Sequence, residues 1–160
     1  VLEAATGLAR SSLANTFGTK QDMLATSLAH YNALIAEHLI ARLDDDAVEG
    51  QAALHGFFDS LAALKAEAPG SHGCLVINTL VELPERAAEI DDQISRYEDL
   101  LLTGFTTALR RTAASQDALE NLTHTLLALA MTVNLHSRNH DSAKVAATTA
   151  AAHAFIDSWA

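Results

Sequence analysis

Two glycines within the first eighteen residues cut an otherwise helical pattern into short pieces separated by tight turns. Leu2 and Ala5 give the first piece a small apolar face, and Gly7 permits the left-handed turn that ends such a segment. A second helix is expected from Arg10 to Phe17, with Leu13 and Phe17 four residues apart on one face. Gly18 stops it. Thr19 followed three residues later by Asp22 has the pattern of a capping box, which predicts a defined helix start. From Lys20 to Leu43 the apolar residues Met23, Leu24, Leu28, Tyr31, Leu34, Ile35, Leu39 and Leu43 recur at spacings suited to one long helix.

Two short helices joined by a glycine turn have the outline of a helix-turn-helix, whose second helix lies in the DNA major groove. The stretch AATGLARSSLANTFGTKQDML resembles the second half of the DNA-binding domain of TetR-type bacterial transcriptional repressors. Ala4, Ala5, Gly7, Leu8, Ser12, Leu13, Phe17, Gly18, Lys20, Asp22 and Leu24 hold the matching positions. The resemblance implies an all-α fold: an incomplete helix-turn-helix head at residues 1–24 and a ligand-binding and dimerisation bundle at residues 25–160. It also implies a basic helix ahead of Val1, so a missing N-terminal segment is expected. Ala9, Ala14 and Thr16 depart from the pattern and bear on the strength of operator binding. Ala9 stands where the family caps its recognition helix, and losing such a cap costs about 0.5–2 kcal/mol.

Net charge weighs against nucleic acid if the chain is taken whole, at −10. The charge is unevenly spread. Arg10, Lys20 and Arg42 balance Glu3, Asp22 and Glu37 up to Leu43, so the remainder carries all of the excess. A neutral head on an acidic body suits a protein that meets phosphates at one end only. Hydrophobic residues make up 49% and only two prolines interrupt them, which favours helices in close contact. No apolar run approaches the roughly 18–20 residues of a membrane span. One cysteine excludes an internal disulfide and fits a reducing cytoplasm.

Asp44-Asp45-Asp46 is expected to be a solvated turn rather than a metal site. A helix over Ala47–Ala68, carrying Leu54, Phe57, Phe58, Leu61 and Leu64, should end at Pro69-Gly70-Ser71. The segment His72–Leu83 resembles a Gly-Cys-Leu-x-x-Asn-x-x-x-Glu stretch beside the ligand cavity in one branch of the same repressors. Its Cys74, Asn78 and Glu82 are spaced to share one helix face, where they would orient a small ligand or else satisfy backbone carbonyls or face solvent. Phe58, Leu61, Tyr97 and Leu101 complete the expected pocket. Cys74, two residues from His72, is expected to be a buried inert thiol rather than a reactive one.

A long helix over Glu85–Ala114 ends in Arg110-Arg111, a pair that suits a helix C-terminus. The last two helices, Asp117–Ser137 and Ser142–Ala160, offer a seam of Leu122, Leu126, Leu129 and Val133 and an alanine-rich face including Ala146, Ala150 and His153. Pairing of these helices with a second copy would make a four-helix homodimer interface, as the resemblance also implies.

His136 and His140 have helical spacing, but Asn139 and Asp141 point to a helix ending there. No zinc-ligand set, phosphate loop or nucleophile elbow is present, so neither metal, cofactor nor catalysis is expected. The resulting expectation is a ligand-responsive repressor. Arg10, Ser11, Ser12, Asn15, Thr16 and Lys20 would face operator DNA, and a small effector would enter the body. The competing reading is a helical ligand-binding or protein-interaction dimer without DNA binding.

Overall fold

The long helix predicted over Lys20–Leu43 forms, and the rest of the chain is arranged about it. The structure is a computed structural model that describes residues 2–67 and 73–159. In chain order, α1 (Leu2–Thr6) and α2 (Arg10–Phe17) precede the rod formed by α3 (Lys20–Ile35), a π turn (Ala36–Ile40) and α4 (Ala41–Leu43). Then come α5 (Gly50–Glu67), α6 (Leu75–Glu82), α7 (Ala88–Leu109), a 3-10 turn at Gln116–Ala118, α8 (Leu119–Arg138) and α9 (Ser142–Asp157). The described residues are helical throughout apart from turns and connections.

Capping side chains set several helix starts. Thr19 Oγ1 accepts the Asp22 N–H at 3.2 Å while Asp22 Oδ2 accepts the Thr19 N–H at 2.8 Å, the expected capping box. Glu49 accepts the N–H groups of Gln51 and Ala52 at 3.0 and 2.9 Å, so α5 begins at Gly50 rather than at Ala47. Asp141 caps α9 by accepting the Lys144 N–H at 3.0 Å.

The α7 helix is shorter than its periodicity suggested. Ala87, the residue before it, is extended, and Arg111 and Thr112 close the far end with tight bonds to the carbonyls of Ala108 and Leu109. The boundary expected at Pro69-Gly70-Ser71, and His72 beside Cys74, lie outside the described residues.

The core lies where α7 meets the rod, α5, α6 and α8, with α9 closing over α5 and α8. At its centre Phe57, Phe58 and Phe105 are fully buried, with Phe57 edge-on to Phe58 and Phe105 at ring separations of 5.3 and 4.9 Å. The rod and α7 run parallel. Asn32 meets Gln93 at one end, and Ile40 and Leu43 meet Gly104 at the other. A Cβ at Gly104 would stand 3.0 Å from Leu43 Cδ1 and 3.1 Å from Ile40 Cγ2, so glycine sets how closely these helices approach.

Candidate nucleic-acid interface and effector body

Gly7, at φ 69°, makes the turn between α1 and α2, and Gly18, at φ 78°, makes the turn into the rod. Together they hold α2 across the rod's start, with Leu13 as its buried anchor. Arg10, Ser11, Ser12, Asn15 and Thr16 are all exposed on α2, and Lys20 is exposed as the first residue of α3. Leu8 is 50% exposed beside them.

Ala9 offers no capping side chain, but its role is taken from a distance. Glu3 Oε1 accepts the N–H of Arg10 at 3.0 Å, placing a carboxylate at the N-terminus of α2. The sequence gives no sign of this bond across seven residues. Asp22 is likewise occupied by Thr19, whose backbone and side-chain hydrogen bonds hold its carboxyl below the ordinary aspartate range. Both head carboxylates are therefore engaged with backbone N–H groups. The Arg10 guanidinium and Lys20 ammonium have no partner among the described residues. They border one hollow of about 470 Å³, together with Leu13, Phe17 and Met23.

The expected effector residues divide into two groups. Phe58, Leu61, Cys74, Tyr97 and Leu101 are buried in the body. Asn78 and Glu82 instead meet Arg138 of α8: its Nη1 donates to Asn78 Oδ1 at 3.2 Å and its Nη2 to Glu82 Oε1 at 2.8 Å. Glu82 is exposed, so this part of the expected α6 face is a surface clasp rather than a pocket wall. A partner some 56 residues away in sequence decided its direction.

Within the core, the rings of Tyr31 and Tyr97 stand 6.3 Å apart, and the buried Cys74 neighbours both. Burial, followed by the neighbouring Cys74, raises Tyr31 far above the ordinary tyrosine range, and Tyr97 is raised for the same leading reason. Both therefore stay neutral hydrogen-bonding groups. The Asn134 amide donates to the Ala130 carbonyl at 3.1 Å and, at 3.5 Å, faces the Tyr97 hydroxyl; its own Oδ1 is buried without a partner. Tyr31 and Asn134 were missed by sequence reasoning. Tyr31 read as one more apolar position of the rod, and nothing in the local pattern marks Asn134.

The expected dimer residues also separate. Leu126 and Val133 are fully buried inside the protomer, which corrects their assignment to an intersubunit seam. An apolar stripe shows that something covers a face, and here the covering elements belong to the same chain. His153 also turns inward, edge-on to His55 at 4.6 Å and with Nε2 3.1 Å from Asp59 Oδ1, within charge contact but without hydrogen-bond geometry. Leu122 and Leu129 are half-buried, whereas Ala146 and Ala150 are exposed. Ala147, Ala151 and Ala154 are exposed on the same helix, and Leu135 is 46% exposed on α8.

Arg111, expected simply to complement the end of α7, reaches across to the rod. It donates to Leu43 O at 2.8 Å and Val48 O at 3.3 Å, tying the rod's far end to the body. His140, at φ 53°, breaks the helical spacing from His136. Among the described residues no three histidine, cysteine or acidic side chains are gathered for a metal, and no helix is long and apolar enough to cross a membrane.

These features define a class of fold: a small helix-turn-helix head carried by a long helix into an all-helical body. The chain shares this fold with the crystal structure of a TetR transcriptional regulator from Legionella pneumophila, at a TM-score of 0.81. The match covers 98% of this chain and 82% of that one at 16% sequence identity, and it establishes a TetR-like fold. No protein-family model and no curated protein sequence matches the chain.

Proposed function

We propose that this protein is a homodimeric, ligand-responsive regulator of transcription that binds operator DNA through α2 and the start of α3. The observation that carries this reading is the pair of cations Arg10 and Lys20, without a partner among the described residues, beside the exposed Ser11, Ser12, Asn15 and Thr16. Lys20 adds its charge to the free N–H groups of a helix start, an arrangement suited to a phosphate. Asn15 carries an amide able to pair bidentately with adenine.

Residues 1–24 act as the DNA-binding unit and 25–160 as the effector and dimer unit. The exposed alanine face of α9, with Leu122, Leu129 and Leu135 of α8, supports pairing with a second copy. Two heads so joined address half-sites one helical turn apart. A small effector held among Phe58, Leu61, Cys74, Tyr97 and Leu101 shifts the population toward a head spacing that fits DNA poorly, and repression is relieved. The rod is the lever for that change.

The test is binding of the purified protein to the region upstream of its own gene, across a salt series. Specific binding that weakens steeply with salt is expected. Absence of specific binding by a dimeric, folded protein contradicts the reading. That result would favour a ligand-binding or protein-interaction dimer, for which the acidic body is the supporting observation.

A further inference from the structure

A groove of about 590 Å³ runs along the outside of the body between the rod and α7. It is separate from the buried residues assigned to the effector. Its floor is made of small side chains, Ala29, Ala33 and Ala36, which let a ligand backbone come close to the helix. The π turn Ala36–Ile40 falls in the same floor, and such turns occur frequently at functional sites.

The charged side chains around this floor point to an occupant. Asn32 lines the groove and is only 6% exposed, with its side-chain N–H donating to Gln93 O at 2.8 Å. Its Oδ1 is closed off from the surface and has no hydrogen-bond partner among the described residues. The walls also carry charge in a set order. Arg96 stands on the Asn32 side, followed by Asp99 and then Asp44 at the far end. The side chains of all three lack a hydrogen-bond or ion-pair partner among the described residues.

Because Asn32 pairs with Gln93 and Leu43 with Gly104, the rod and α7 advance in step. In that register the level of Asp44 lies about 13 Å beyond that of Arg96 at the helical rise. An extended peptide covers that distance in about four residues, or three once the charged side chains reach inward.

We propose that this groove is a ligand site for a short zwitterionic peptide. Its carboxylate pairs with the Arg96 guanidinium, and its ammonium lies toward Asp99 and Asp44. Its backbone runs over the alanine floor. The proposal does not depend on DNA binding, so the two can fail separately.

Calorimetric titration of the intact protein with tetra-L-alanine tests it, alongside the same peptide acetylated and amidated at its ends. Saturable binding is expected for the free peptide and about tenfold or greater weakening for the blocked one, since each tenfold corresponds to about 1.4 kcal/mol. Arg96→Glu, at an exposed position, should weaken the free peptide comparably, and Ala33→Leu should do so by filling the floor. No saturable binding, or equal binding of free and blocked peptides by the unaltered protein, would overturn the proposal.

Discussion

Head and body are built from the same kind of helix, yet they are stabilised differently. Among residues 3–27 Leu13 alone is buried, and backbone N–H groups donating to the side chains of Glu3, Thr19 and Asp22 define the helix starts. The body instead closes over a continuous apolar core centred on Phe57, Phe58 and Phe105. Electrostatic and capping effects therefore matter most in the head, whereas volume and shape matter most in the body. This suits a small element that presents polar side chains outward from a rigid support.

The largest expected difference is in core truncation. Phe105→Ala should lower global stability by about 3–5 kcal/mol, because a fully buried ring leaves a cavity that its neighbours cannot fill. Leu13→Ala should leave the main chemical-denaturation transition nearly unchanged while lowering hydrogen-exchange protection in α2. Equal shifts in the main transition would show that head and body unfold as one unit.

A close backbone approach gives the next effect. A Cβ at Gly50 would collide with the Ala108 carbonyl, so Gly50→Ala should destabilise by about 1–3 kcal/mol despite its gain in helix propensity. An unchanged denaturation midpoint would show that α5 can move away from α7 freely.

Capping should have a smaller, local effect. Glu3→Gln, read by exchange at the Arg10 amide, should reduce protection within α2, and Ala9→Ser should restore about 1 kcal/mol by supplying a local cap. If the Arg10 amide exchanges equally in Glu3→Gln and in the unaltered protein, the Glu3 carboxylate does not hold this helix.

The smallest effect is shared by both regions. The carboxyls of Asp22, Glu49 and Asp141 are lowered chiefly by hydrogen bonds to Thr19, to the Gln51 and Ala52 N–H groups, and to Lys144 respectively. A lowered folded value stabilises the fold above the unfolded carboxylate range, and that contribution disappears as pH falls through the folded value. Melting temperature should therefore decline below about pH 4. Replacing all three by their amides should flatten this decline; an unchanged slope would assign it to other groups.

The sequence made the short-range features legible. The capping box at Thr19 and Asp22, the Gly18 stop and the long rod depend on residues within one or two turns of each other. Less legible was the direction each apolar or polar stripe would face. Leu126 and Val133 looked available to a second subunit because periodicity identifies a covered face without identifying its cover. Asn78 and Glu82 looked available to a ligand because the clasp by Arg138 is distant in sequence. The Glu3 bond to α2 was hidden for a related reason: an N-terminal cap was sought next to the helix, whereas the fold supplied it from the preceding one.

The salt dependence of DNA binding by the unaltered protein and Lys20→Gln tests the central claim most directly. If Lys20 neutralises one phosphate per protomer, the variant should bind all duplexes more weakly. Its slope of log affinity against log salt should be shallower by about 0.9 for each phosphate that is no longer neutralised. Identical affinities and slopes for two equally folded proteins would contradict the placement of DNA at the start of the rod.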